Sequence, residues 1–223
     1  MLGDVIGELL PSALAVALSP IPIIAIVLVL GSERARSAGL AFALGWIVGL
    51  GTVSALVVLM LSGSADADHD DPGVAWLDLA IGLLFLALAA KQWTKRPRQG
   101  EAPEMPSWMA TVDRATAPKA AALGLALSAA NPKNLALTLA AAATVAEAGL
   151  EPADETIAIA AFVVLGSATV AGAVLAYLLL GDRASRPLAA VRGFMSDNNA
   201  VILMVVLLLL GAKLVGDALS GLV

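Results

Sequence analysis

Residues 9–30 read LLPSALAVALSPIPIIAIVLVL, an apolar run without a charged side chain, interrupted near its middle by Ser19-Pro20-Ile21-Pro22. As a helix this run is long enough to cross a hydrocarbon layer about 30 Å thick. A proline inside a helix removes one backbone hydrogen bond and crowds the carbonyl four residues earlier. Pro20 and Pro22 therefore predict a first helix that opens near its middle. Freed peptide groups cannot face lipid, so such an opening has to be sealed by protein or line a site.

The rest of the chain is written in the same style. Of its 223 residues 60% are hydrophobic and 14% charged, and the mean hydropathy is +0.91, far from the balance of soluble domains. Further apolar runs at roughly 38–61, 74–90, 119–145, 156–180 and 199–219 predict six spans in all, with no room for a separate soluble domain. The first run lacks a cationic leader, with Asp4 and Glu8 its only early charges, and is too long for a signal peptide. The chain has no cysteine, which excludes disulfides, thiolate metal sites and dithiol redox chemistry.

Charge is sorted between the loops. Arg34 and Arg36 follow helix 1; Lys91, Lys95, Arg96, Arg98, Arg114 and Lys119 lie between helices 3 and 4; Arg183, Arg186 and Arg192 lie between helices 5 and 6, together eleven of the thirteen basic residues. The other two loops carry acid only: Asp66, Asp68, Asp70 and Asp71 in one, Glu147, Glu151, Asp154 and Glu155 around the other. By the positive-inside rule the basic loops are cytoplasmic, and both termini are outside. The acidic loop, which also holds His69, has no fixed ligand spacing and reads as solvated chain rather than a metal site. No cofactor and no nucleic-acid partner is expected.

The two halves echo each other. Ala17-Leu18-Ser19-Pro20 in helix 1 is matched by Ala126-Leu127-Ser128 and then Asn131-Pro132-Lys133-Asn134 in helix 4. Ala41-Phe42 with Gly45 is matched by Ala161-Phe162 with Gly166, and Ala89-Ala90-Lys91 by Gly211-Ala212-Lys213. A repeat of three spans must run in opposite senses through the bilayer, so the pattern predicts a 3+3 inverted repeat: residues 1–95, a Pro-rich cytoplasmic linker at 96–118, and residues 119–223. The fold class is an all-α integral membrane protein.

Lys133 is the basic residue these spans place near the bilayer centre, at a cost of about 2.5–3.5 kcal/mol on insertion scales. One account is an anionic headgroup held by the ammonium and by the N–H groups of the half-helix after Pro132. The other is a structural ion pair, with Asp78 in helix 3 as the carboxylate. Lys213 and Asp217, four residues apart, read as surface anchoring. Ala41, Gly45 and Gly49 form a small-residue face on helix 2, suited to close packing within the chain against helix 5, with a homodimer seam as the other reading. No cluster of acid, base and nucleophile marks an enzyme.

The Ser19-Pro20-Ile21-Pro22 break, the Gly-Ser-Glu-Arg-Ala-Arg turn at 31–36, the Gly-rich helix 2 and the Asn131-Pro132-Lys133-Asn134 break resemble the GAP/Sap family of glycolipid-addressing proteins, within the LysE-type exporter superfamily. The resemblance implies a multi-pass protein of the bacterial cytoplasmic (inner) membrane that sends a cell-envelope glycolipid or related anionic amphiphile outward, with membrane lipids as partners. It also implies a substrate site at Pro20, Pro22, Asn131, Pro132, Lys133 and Asn134. The competing readings are an amino-acid-type exporter and a non-transporting scaffold for lipid-export machinery.

Overall fold

The computed structural model describes residues 1–61, 72–94 and 115–222. The acidic loop with His69 and most of the 96–118 linker lie outside the described residues. The chain is helical throughout what is described: α1 (Leu2–Ala17), α2 (Pro20–Leu30), α3 (Ala35–Leu61), α4 (Pro72–Thr94), α5 (Ala117–Ala129), α6 (Pro132–Glu147), α7 (Pro152–Gly166), α8 (Ala168–Leu180), a 3-10 turn at Gly181–Ala184, α9 (Ser185–Asp197) and α10 (Asn199–Leu222).

This is a helical membrane protein. Ala35–Met60 and Asn199–Ser220 are each long and apolar enough to cross a bilayer, and the bent pairs α1–α2 and α7–α8 add two more if each pair counts as one span. The surface agrees, because large apolar side chains stand on it: Leu59 is 74% exposed and Leu179 82%. A water-soluble domain of this size would not display so many.

Three of the expected spans are interrupted. α1 and α2 meet at a 52° bend at Leu18–Ser19. α5 and α6 meet at Ala130–Asn131. The third interruption, at Ser167 between α7 and α8, bends the chain by 59° and has no proline to announce it. Elsewhere the chain turns on Gly149 (φ +58°) after α6 and Gly181 (φ +54°) after α8, left-handed conformations that cost glycine little.

Tertiary contacts divide the chain into two units, Met1–Gly63 with Glu104–Ser196, and Ser64–Pro103 with Asp197–Val223. Each draws on both halves of the sequence. The first unit holds the interrupted helices around α3, whose Phe42, Trp46 and Leu50 form one fully buried stripe at four-residue spacing. α3 lies along α5, which is the first half of the expected helix 4 rather than helix 5, and the small-residue face read from the sequence is the reason. A methyl group on Gly45 would collide with the Ala121 carbonyl, one on Gly124 with the Phe42 carbonyl, and one on Gly49 with the Ser128 hydroxyl. That face is therefore used inside the chain. The second unit is the pair α4 and α10, where a methyl on Gly211 would come within 2.9 Å of the Gly82 carbonyl oxygen.

Candidate functional site

The two proline breaks have the same backbone geometry. Ser19, before Pro20, has φ −70° and ψ 113°; Asn131, before Pro132, has φ −71° and ψ 119°. Both are extended residues in the N-cap position, the conformation a following proline favours. Proline then occupies the first position of the new half-helix, where its missing N–H costs nothing because first-turn donors have no intrahelical acceptor. Pro22 sits two residues further on, still inside that turn, so Ile21 supplies the remaining first-turn N–H of α2. In α6 the Lys133 N–H donates to the Asn131 side-chain oxygen at 3.1 Å, which leaves the Asn134 N–H without an acceptor inside the helix. The prolines thus start half-helices rather than kink a continuous one. Pro20 and Pro22 are buried and Pro132 is exposed.

A polar clamp joins the breaks. The Ser19 hydroxyl donates to Asn134 Oδ1 at 2.7 Å, and Asn134 Nδ2 donates to the Leu127 carbonyl at 2.9 Å. Asn134 is wholly buried, yet it satisfies a carbonyl freed at the end of α5 and holds the start of α2 against the start of α6. Thr138 Oγ1, one turn further along α6, donates to the Asn134 carbonyl at 2.8 Å.

Lys133 reaches across to helix 1. Its Nζ donates to the Ala15 carbonyl at 2.8 Å and to Ser19 Oγ at 2.9 Å. Ala15 lies in the last turn of α1, where carbonyls lack intrahelical donors and the helix dipole is negative, so a cation there is favoured. On the same turn Thr169 Oγ1, from the start of α8, donates to the Ala17 carbonyl at 2.5 Å. The frayed end of α1 is thereby gripped from two sides, by Lys133 and by Thr169. An ammonium carries three donors, and these bonds use two.

Of the residues singled out from the sequence, Asn131, Lys133 and Asn134 take part in the clamp and its cap, while Pro20, Pro22 and Pro132 shape the breaks. Asp78 belongs to α4, but its side chain lies outside those described. Ser19, Ala15, Thr138 and Thr169 join them without having been singled out for these contacts. Ser19 stood beside the proline signal. The acceptor role of Ala15 had no signal, because every residue carries a carbonyl. The Ser167 break could have been suspected from Gly166-Ser167 in mid-span, since Gly/Ser pairs are recognised kink sites.

The family model described as Sap, sulfolipid-1-addressing protein, matches residues 9–220. The chain belongs to the Sap family. The matched range contains all three breaks of this Sap-family protein and both sides of its clamp. No curated protein and no solved structure matches it.

Proposed function

We propose that this Sap-family protein is a secondary exporter or flippase that carries an anionic amphiphile, a cell-envelope glycolipid or lipid-linked precursor, outward across the bacterial cytoplasmic membrane. The observation that carries this is Lys133: a half-buried ammonium at the meeting of two broken helices, held by an uncharged carbonyl and a hydroxyl. It has a donor to spare and a positive charge that these neutral acceptors do not neutralise. The N-termini of α2 and α6 add positive dipole ends at the same place. A sulfated headgroup, the chemistry named in the family's description, supplies the missing negative charge. Among the described clamp residues there is no carboxylate to hold an amine, which disfavours an amino-acid substrate.

In this reading α1–α2, α3, α4, α5–α6, α7–α8 and α10 are six spans, arranged as a 3+3 inverted repeat with both termini outside. The matched geometry of Ser19-Pro20 and Asn131-Pro132 supports the repeat, and the loop charges support the orientation. Cysteine placed at Ser64 then reacts with an impermeant thiol reagent on intact cells, and cysteine at Gln99 does not; the reverse pattern contradicts the orientation.

The same two bonds favour a second reading, in which Lys133 is only a staple and the protein a scaffold. Lys133→Met separates them, since Met keeps the apolar stem and drops the charge. The transport reading predicts a folded variant that no longer binds a sulfated glycolipid in nonionic detergent, whereas the native protein does. The scaffold reading predicts lost stability and no preference for the sulfated lipid in either protein.

A further inference from the structure

Ser167 is a buried polar group that the clamp does not use. It is 3% exposed, and its hydroxyl has no hydrogen-bond partner. A serine in a continuous helix can bond back to the carbonyl four residues earlier, so an orphan hydroxyl at this depth calls for an explanation. Its surroundings offer one. Ser167 is the N-cap of α8, and the 59° bend at this point opens the first turn of a 13-residue helix. The N–H groups of Ala168, Thr169 and Val170 have no acceptor inside that helix.

The opening adjoins the clamp. Thr169 grips the Ala17 carbonyl, and a methyl group on Gly166 would meet Val16 at 3.3 Å. The last turn of α1 therefore has the Lys133 ammonium bonded at Ala15 and the open end of α8 bonded at Ala17. Both groups favour negative charge.

We propose that Ser167 and the first turn of α8 are a second arm of the headgroup site, donating to a sulfate or phosphate ester oxygen of the amphiphile. This rests on the transport reading above and adds a residue to it. An unpaired hydroxyl in the ligand-free protein is what such a role predicts, because its partner arrives with the substrate and the stability it forgoes is recovered on binding.

The test uses the full chain in nonionic detergent, with affinities read by native mass spectrometry. The probes are a sulfated glycolipid, the same glycolipid without sulfate, a phosphomonoester lipid and inorganic sulfate. Ser167→Ala is expected to melt no lower than the native protein when ligand-free, because it removes an unpaired buried hydroxyl. It is expected to bind the sulfated glycolipid about tenfold more weakly, as loss of one hydrogen bond to a charged group predicts, with the unsulfated lipid unaffected. A parallel loss for the phosphomonoester widens the class to both esters; a loss confined to the sulfated lipid restricts it to sulfate. Inorganic sulfate is expected to compete weakly, since it lacks the tail. Unchanged affinity for the sulfated lipid in Ser167→Ala, or a lower ligand-free melting temperature marking a structural hydroxyl, overturns the proposal. If Lys133→Met loses binding while Ser167→Ala keeps it, this inference alone fails. If the native protein does not prefer the sulfated lipid, the headgroup reading fails and this inference with it.

Discussion

The first unit and the second are held together by different means. In the second, α4 and α10 run unbroken and approach through Gly82 and Gly211. In the first, α3 and α5 use the same glycine-against-carbonyl device at Gly45 and Gly124, but around them three helices are interrupted and their loose ends are tied by Ser19, Asn134, Lys133 and Thr169. Close glycine packing suffices to join two helices in lipid. Interrupted helices add buried polar groups, and these have to be paired. The first unit carries that burden in the part of the chain where the sequence places a charged residue among apolar ones.

Substitutions can break or sharpen this contrast. The largest effect is expected from Gly124→Ala, since the new methyl meets the backbone of α3, which cannot move aside as a side chain can; a loss of about 3 kcal/mol or more in detergent unfolding is expected. Gly82→Ala in the second unit is expected to cost less, because the backbone atoms its methyl would meet, Val215 N and the Gly211 carbonyl oxygen, stand at 3.0 and 3.1 Å, so a shift of a few tenths of an ångström relieves them. Equal costs would erase the distinction between the seams. Next comes Asn134→Leu, which strands the Leu127 carbonyl and takes from the Ser19 hydroxyl its 2.7 Å acceptor, leaving it the Ala15 carbonyl at 3.3 Å. A loss of about 2–3 kcal/mol follows from leaving buried groups unpaired, and a neutral result would mean that the clamp is not holding the breaks. Thr169→Val removes one neutral hydrogen bond at nearly constant volume and is expected to cost about 1 kcal/mol, read as a small fall in melting temperature.

Much of this was legible in the sequence because proline writes its effect locally. Ser19-Pro20 and Asn131-Pro132 announce two breaks, and the breaks fall within two residues of the prolines. The Ala41-Gly45-Gly49 face likewise announced close packing, although its partner, α5, depends on tertiary arrangement. What Lys133 holds was not legible: a carboxylate such as Asp78 is visible in a sequence, whereas the carbonyl of Ala15 becomes an acceptor only because α1 ends there. The bend at Ser167 escaped for a related reason, since an apolar span broken without proline looks continuous. The basic residues Arg183, Arg186 and Arg192 make the stretch between helices 5 and 6 look like a polar loop, yet Leu188, Val191 and Met195 recur there at helical spacing and the chain forms α9.

The central claim is that the charge on Lys133 moves an anionic headgroup through the break between helices. The most direct measurement is leaflet exchange in proteoliposomes, with a fluorescent sulfated glycolipid and its unsulfated counterpart followed by an impermeant quencher. The account predicts that the native protein speeds exchange of the sulfated lipid selectively and that Lys133→Met, reconstituted to the same level and folded, abolishes the selectivity. Native and Lys133→Met proteins that exchange both lipids at the rate of protein-free vesicles, or a variant as selective as the native protein, would contradict it.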